Sequence, residues 1–431
     1  MSPFTRTQAT WKRLFAQAGF PSYFTGMFVS LFGTGLNFAG VTLYVLAKTG
    51  STVQVSFTVI LLTLPRLVVP LFGGVLTDRM DRRYLGISLD VIRAFIVMGT
   101  AGLAFAGRLE LWQLYLMILL LGIAFAVYWS TSLALLQEIV PPLHLVGANA
   151  AVLVAVQGGM LAAGAVVGVI YDRAGLAPIL AIDGLSYVVS AFCWYRLRHG
   201  HVSPARDGDG TARAHIVPLN IAEYWPAMLA DMREGFRYLR EQPSVFAMGF
   251  TYASMMAGVI SANVVVVALA HDVLHAGARG FGFLQSGWAL GAVVGGLAAL
   301  ALPRQKRQGL LIIVLGILAV GHALFPYAGW LVVAIAMNVV FGACRAVGAV
   351  LTQSAILRMV PQHLMGRIQS AFALIATMLQ IVVSFALGWL AEHTSLEIAF
   401  ALLGLLYGMA AVAAVRASAV EPARTSSSVP G

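Results

Sequence analysis

The sequence predicts an all-α integral membrane protein with twelve transmembrane helices in two six-helix bundles. Three observations lead to this fold class: the composition, the length of the apolar runs and the distribution of basic residues. Of the 431 residues, 60% are hydrophobic and 10% are charged, whereas a soluble domain carries about 25% charged residues. So few polar side chains cannot cover a water-facing surface of this size.

The apolar runs have the length and continuity of membrane-spanning helices. Leu111 to Ala126 and Gly309 to Leu324 are continuous examples, and about 20 mainly apolar residues cross the hydrocarbon layer. A β-barrel would instead show alternating segments of about 10 residues, and only helices satisfy their own backbone hydrogen bonds in lipid. The predicted spans are 22–47, 51–77, 84–107, 110–137, 146–171, 176–198, 244–270, 281–302, 309–327, 329–357, 366–391 and 396–416.

The basic residues favour a multi-pass protein of the inner membrane with both termini in the cytoplasm. With the N-terminus inside, 20 of the 27 Lys and Arg residues fall in cytoplasmic connectors, 4 fall outside and 3 lie within spans. Such a bias sets the orientation of membrane helices. The net charge of +10 therefore does not indicate a nucleic-acid partner, since no dense basic patch accompanies it.

The predicted domains are a bundle over 1–198, a cytoplasmic linker over 199–243, a second bundle over 244–417 and a tail over 418–431. Gly, Pro, Asp and Arg are frequent in 199–218, which predicts disorder. The segment 220–241 predicts an amphipathic helix, because apolar residues recur at spacings of three and four. That helix can lie on the cytoplasmic leaflet or pack on the bundle, and the sequence leaves both open.

The two halves resemble each other at an offset of about 220 residues, a parallel repeat of six spans. Glu138-Ile139-Val140-Pro141 corresponds to Arg358-Met359-Val360-Pro361, and Gly147 corresponds to Gly366 after a slip of one residue. Further along, 168–172 corresponds to 388–392. In transporters built this way, substrate is handled between the halves near the middle of the membrane.

The connector between the second and third spans contains a spaced motif. A glycine is followed after three residues by an Asp-Arg pair, and after two more residues by two basic residues. These positions are Gly74, Asp78, Arg79, Arg82 and Arg83. The pattern resembles the signature loop of the major facilitator superfamily, which usually has Gly where this chain has Asp81. The alternative interpretation, a positive-inside anchor, needs the arginines but does not explain a carboxylate at the end of a span.

The resemblance implies a conformational switch. Asp78 would meet the start of the eleventh span near Gly366, where a helix N-terminus favours an anion. Arg82 would pair with Glu138 at the end of the fourth span. Together these contacts would hold the cytoplasmic side closed until the halves rock.

Two further stretches are similar to one branch of that superfamily. The run 183–190 resembles the sixth span of the branch that holds the enterobactin exporter and macrolide efflux pumps, and 233–239 with Pro243 resembles its linker. The resemblance covers nearly the whole chain. It implies a transporter that acts as a monomer. The matching motifs are specific for this branch of the superfamily but say little about the substrate.

Charged and polar residues within spans are candidates for substrate binding, because a charge in hydrocarbon costs at least about 2.5–3.5 kcal/mol. Arg345 lies near the middle of the tenth span, and the second half has no acidic residue in mid-span to pair with it. We expect Arg345 to face substrate or a partner across a central cavity. The other predicted substrate-binding residues are Arg66, Asn37, Tyr128, Trp129 and Asn263. Helix packing through hydrogen bonds is the alternative role for these polar residues.

Asp183 in the sixth span and Asp90 in the third span are the candidate proton carriers. A carboxylate in apolar surroundings binds its proton more tightly. The alternatives are a packing role for Asp183 and a structural pair of Asp90 with Arg93.

The sequence predicts neither an enzyme nor a cofactor or metal site, since no phosphate-binding loop, metal-ligand cluster or nucleophile motif is present. We expect a secondary active exporter of a small amphiphilic molecule, a siderophore or hydrophobic drug, working by alternating access with proton antiport in the lipid bilayer. The alternatives are a proton-coupled importer or symporter of a small organic anion and a non-transporting membrane receptor.

Overall fold

The computed structural model describes residues 14–17, 19–69, 80–197, 232–300 and 307–420. Within these ranges the regular structure is helical, and twelve helices are long and apolar enough to cross a membrane. The prediction of a twelve-span all-α membrane protein is therefore confirmed. Three residues of the predicted switch, Gly74, Asp78 and Arg79, lie outside the described residues, as do the predicted disordered segment and the end of the tail.

Apart from α2, which ends well before residue 77, each helix begins and ends within a few residues of its predicted span. The helices are α1 Phe20–Thr49, α2 Thr52–Thr63, α3 Arg82–Phe105, α4 Leu111–Ile139, α5 Leu145–Ala174, α6 Leu176–Tyr195, α7 Pro243–Ala268, α8 Gly277–Leu300, α9 Arg307–Leu324, α10 Leu331–Met359, α11 Met365–His393 and α12 Leu396–Val420. A π-helical turn, Leu269–Val273, follows α7.

The second span is interrupted after Thr63. Helix α2 ends there, Leu64 is a turn residue, and the helix resumes at Pro65 and continues to residue 69. Proline has no N–H to donate to the preceding turn, and it disfavours helical geometry in the residue before it. The interruption therefore follows directly from Pro65.

The chain divides into two compact units, and the boundary in the second span falls at this interruption. Unit 1 comprises Met1–Tyr44 and Leu64–Val217, and unit 2 comprises Val45–Thr63 and Pro218–Gly431. The predicted bundles, 1–198 and 244–417, differ from these units in one respect, because 45–63 groups with unit 2. The reason is the packing of α2 against α11 and α7.

Hydrogen bonds join α2 to α11 at three levels. Glu392 accepts from the Ser51 hydroxyl at 2.5 Å and from the Val53 backbone N–H at 2.9 Å, so it caps the first turn of α2. The Thr52 hydroxyl donates to the Gly388 carbonyl at 2.7 Å. At the far end of α2, the side chain of Gln380 donates to the Thr63 hydroxyl at 2.5 Å.

Small residues bring helices close together elsewhere in unit 2. A Cβ atom on Gly295 of α8 would lie 2.5 Å from the Ala343 Cα of α10, and one on Gly342 would lie 2.9 Å from the Ala292 nitrogen. Side chains larger than hydrogen would force these two backbones apart. Close approach through small residues is the usual way in which helices associate in membranes.

The internal repeat has the same local geometry in both units. After α4, Val140 is extended at φ −119° and ψ 124°, and after α10, Val360 is extended at φ −102° and ψ 128°. A three-residue 3₁₀ turn then leads into the next helix in each case. The Val-Pro pairs that indicated the repeat thus terminate two equivalent helices.

The described part of the linker is a helix over 232–241, and it packs on unit 2. Arg367 at the start of α11 donates to Glu234 at 2.7 Å. A Cβ on Gly235 would lie 3.2 Å from the Arg367 carbonyl oxygen, and Leu239 is buried. Of the two alternatives for the amphipathic helix, these contacts favour packing on the bundle for this part.

Replacing Glu392 with alanine is expected to lower the melting temperature of the purified protein, because the first turn of α2 loses its cap. Loss of an N-terminal cap costs about 0.5–2 kcal/mol. Glu241→Ala is the matched control, because Glu241 is also exposed but lies at the C-terminal end of its helix, where it caps no first turn. Equal melting temperatures for the two variants in the same detergent would contradict the capping role.

Candidate functional site

A group of charged residues lies buried in unit 1 between α1, α3, α4 and α6. Asp90 and Arg93 stand one turn apart on α3, and the guanidinium donates to the Asp90 carboxylate. Their side chains are 0% and 1% exposed. A buried pair such as this one contributes only if further interactions offset the loss of hydration.

Two tyrosine rings supply such interactions to Arg93. The guanidinium carbon lies 3.9 Å from the centre of the Tyr128 ring and 4.4 Å from the centre of the Tyr187 ring. A cation over an aromatic face contributes about 2 kcal/mol or more when desolvated. The aromatic contacts and the Asp90 carboxylate therefore hold Arg93 in one place.

Asp183 of α6 belongs to the same group but is held by neutral donors. Its carboxylate accepts from Asn37 of α1 at 2.6 Å, while the Ser186 hydroxyl donates to the Asp183 backbone carbonyl at 2.7 Å. Gly33 leaves the space that Asp183 occupies, because a Cβ there would lie 2.6 Å from the Asp183 Oδ1 atom. A second bond between α1 and α6 joins the Thr34 and Tyr187 hydroxyls at 3.0 Å.

Asn37 and Tyr128 therefore lie elsewhere than predicted. The sequence suggested that they line a cavity, but they are only 5% and 0% exposed and contact the buried charges. The sequence identified Asp90, Arg93 and Asp183 as unusual one by one. It did not indicate Tyr187. This residue follows Asp183 by four positions on α6, and that spacing could have predicted that the two side chains lie on the same face of the helix.

Arg345 occupies a different kind of environment in unit 2. Its Nη2 atom lies 3.6 Å from the Met256 sulfur of α7, and its Nε atom is buried without a hydrogen-bond partner. A thioether is a weak acceptor. Acidic residues in the spans of the second half occur only near helix ends, at Asp272, Glu392 and Glu397.

An aromatic cluster lies one turn from Arg345 along α10. The His322 ring stacks on Phe341 at 4.3 Å and lies 5.0 Å from Tyr407 of α12. Its Nδ1 atom is 2.8 Å from the Leu318 carbonyl oxygen, so this nitrogen carries the proton. Sequence reasoning did not select His322, because a single histidine in an apolar helix carries no pattern.

The other predicted substrate-binding residues fall into two groups. Arg66 lies 5.8 Å from the Phe125 ring, which stacks on Trp129, and all three belong to unit 1. Asn263 of α7 donates to the carbonyl of its own preceding turn and accepts from Gln285 of α8 in unit 2. Each group is partly accessible, whereas Asn37 and Tyr128 are not.

The described end of the signature loop is held by unit 1. Arg82 donates to Glu138 at 2.7 Å, which is the ion pair that the resemblance implied. Arg83 donates to the carbonyls of Trp194 and Tyr195 at the end of α6, where a cation is favoured. Asp81 accepts from the Arg83 and Tyr84 backbone N–H groups and caps α3, which explains an aspartate at this position.

Within the described ranges, no group of three or more His, Cys, Asp or Glu side chains is arranged to hold a metal ion.

Comparisons with known proteins agree on the family. The profile of the Major Facilitator Superfamily matches residues 23–375. The chain is 26% identical over 360 residues to the "Enterobactin exporter EntS" of Escherichia coli O139:H28, covering 81% of this chain and 79% of that protein. It is 23% identical over 317 residues to the "Macrolide efflux protein A" of Streptococcus pyogenes, covering 73% and 75%.

Solved structures show the same fold. The nucleoside transporter NupG superposes with a TM-score of 0.69 at 14% identity, covering 92% of this chain and 98% of that one. Its D323A mutant superposes with a TM-score of 0.68 at 12% identity. With the profile match over most of its length, this chain is a member of the major facilitator superfamily, a multi-pass membrane transporter and not an enzyme.

Proposed function

We propose that this transporter exports a small amphiphilic molecule, a siderophore or a hydrophobic drug, from the cytoplasm across the inner membrane in exchange for protons. The observation that carries the proposal is Arg345, a cation within a span whose guanidinium contacts the Met256 sulfur and lies near Tyr252 and Tyr407, with no carboxylate beside it among the described residues. The exporters of enterobactin and macrolides, to which the chain is similar, support the direction. NupG is similar in fold alone and carries no argument about substrate.

The surroundings of Arg345 favour a substrate that is both apolar and anionic. An arginine donates up to five N–H bonds, and those that a thioether cannot satisfy are available to a carboxylate or phenolate. Met256 and the nearby ring of Tyr407 provide apolar and polarisable contacts. A hydrophilic sugar would leave these contacts unused.

Arg66, Trp129 and Asn263 remain proposed substrate contacts, since their side chains are partly exposed. Asn37 and Tyr128 act instead through the buried charges that they touch. The cation of Arg66 beside the Phe125 and Trp129 rings makes a second site at which a flat anionic group can bind.

Alternating access in this proposal is controlled by the signature loop, with both termini in the cytoplasm. Gly74, Asp78 and Arg79 supply the loop, and Arg82, Arg83 and Glu138 anchor its end to α4 and α6. The Arg82–Glu138 pair is partly exposed, at 27% and 41%. Both partners lie in unit 1, so the pair positions the loop, and an exposed pair contributes about 0.2–1 kcal/mol.

Arg345→Ala is expected to reduce export of an anionic amphiphile about 10- to 100-fold. A hydrogen bond to a charged group contributes about 1.5–3 kcal/mol, and each 1.4 kcal/mol is tenfold in affinity. Arg358→Ala is the control, because Arg358 is exposed at the end of the same helix. Measured efflux that is unchanged in Arg345→Ala, with normal insertion in the membrane, would remove the central argument.

The direction of transport is tested with inside-out membrane vesicles. An exporter with cytoplasmic termini accumulates its substrate in these vesicles when their interior is acid, and dissipating the proton gradient abolishes accumulation. Accumulation in right-side-out vesicles alone would establish an importer.

Reversing the charges of Arg82 and Glu138 tests whether their ion pair takes part in the transport cycle. Arg82→Glu and Glu138→Arg each place like charges together and are expected to reduce transport severalfold. The double variant restores the attraction and is expected to recover most of the rate. If the double variant transports no better than the single variants, their pairing has no part in the cycle.

A further inference from the structure

We infer that the buried charges of unit 1 form a site for one proton, that Asp183 carries this proton, and that Arg93 is committed to Asp90. The inference deepens the proton exchange of the proposed function and rests on it only for the use of the proton. Whether a proton is bound at Asp183 is a property of the resting protein, and it can be measured without a transport assay.

Charge balance requires one proton in this site. Two carboxylates, Asp90 and Asp183, share the surroundings of one cation, Arg93, and all three are at most 1% exposed. With both carboxylates ionised, the group has a net charge of −1. An uncompensated charge in an apolar interior costs several kcal/mol, whereas binding one proton makes the group neutral.

The geometry selects Asp183 as the carrier. Asp90 accepts directly from the Arg93 guanidinium, and an adjacent cation stabilises the ionised form of a carboxylate. The hydrogen-bond donors to the Asp183 carboxylate are neutral: the Asn37 amide at 2.6 Å and the Tyr187 hydroxyl. These donors tolerate a protonated carboxyl, because Asn37 also offers an oxygen that can accept its proton.

Among the residues that the structure describes, no further charged side chain of the packed helices faces this group. The polar or titratable groups facing the site are Ser30, Thr34 and Asn37 of α1, Asp90 and Arg93 of α3, Tyr128 of α4, and Asp183, Ser186, Tyr187, Ser190 and Cys193 of α6. The charged residues of α5 are Asp172 and Arg173, both in its last turn.

A second observation shows that the site has unused hydrogen-bonding capacity. Oδ2 of Asp90, Nη1 of Arg93 and the Tyr128 hydroxyl are buried without a hydrogen-bond partner. Leaving such groups unpaired costs about 1–3 kcal/mol each. They can form further hydrogen bonds when the group takes up a proton or a water molecule.

Proton release alters the contact between α1 and α6. When Asp183 is ionised, its bond from Asn37 becomes charge-assisted and stronger, and when Asp183 is protonated the bond is neutral. Asn37 lies in the part of α1 that belongs to unit 1, and the same helix continues into unit 2 at Val45. The proton therefore acts on a helix that contains residues of both units.

Infrared spectroscopy of the purified protein in lipid counts the protons, because a protonated carboxyl has its own carbonyl band. We expect one buried protonated carboxyl in the wild type at neutral pH and none in Asp183→Asn. Asp90→Asn also loses the band, because Arg93 is then free to pair with Asp183. Arg93→Gln, which leaves two acids and no cation, is expected to hold two protons.

Three further variants keep the assignment testable. Asn37→Ala is expected to shift the band, since Asn37 contacts Asp183 and not Asp90. Arg93→Lys retains one cation and one proton if Arg93→Gln does not fold. Asp81→Asn, an exposed carboxylate at the start of α3, leaves the band unchanged.

The outcomes distinguish this inference from the proposed function. A wild-type protein without the band, or a band that persists in Asp183→Asn, overturns the inference even if proton-driven export is intact. The expected numbers of protonated carboxyls in the variants support the inference even if export proves independent of the proton gradient. In that case the proposed proton coupling is wrong instead.

Discussion

The structure of unit 1 depends on the balance of charge around Arg93. A buried guanidinium in an apolar bundle is costly unless it is compensated, and here one carboxylate and two tyrosine rings compensate it. These partners come from three helices, α3, α4 and α6, so the requirement to enclose one cation also determines how the helices pack. Asp183 lies beside this arrangement without a cation of its own, and that difference makes it the group that can exchange a proton.

Arg345 in unit 2 shows the opposite solution to the same physical problem. It contacts the Met256 sulfur and lies near the Tyr252 and Tyr407 rings, and the spans of the second half have no carboxylate near their middle. A cation that the protein itself leaves uncompensated is a place for an anion from outside. One arginine is thus structural and the other is a proposed site of recognition, although both have similar positions within their spans.

The path of the second span links the two units through the chain itself. Pro65 ends α2, and the segment before it belongs to unit 2 while the segment after it belongs to unit 1. Glu392, Gly388 and Gln380 hold that first segment along its length.

Composition, apolar length and the Val-Pro repeat determined the twelve helices and their order from the sequence alone, because lipid permits few backbone structures and each span is a local property. The sequence also implied the Arg82–Glu138 pair through its motif. Only the tertiary structure decided that Asn37 and Tyr128 are buried, that Tyr187 completes the enclosure of Arg93, and that 45–63 groups with the second unit. These features depend on which side chains from distant helices meet, and the free energy of a buried charge is set by those neighbours rather than by its position in the chain.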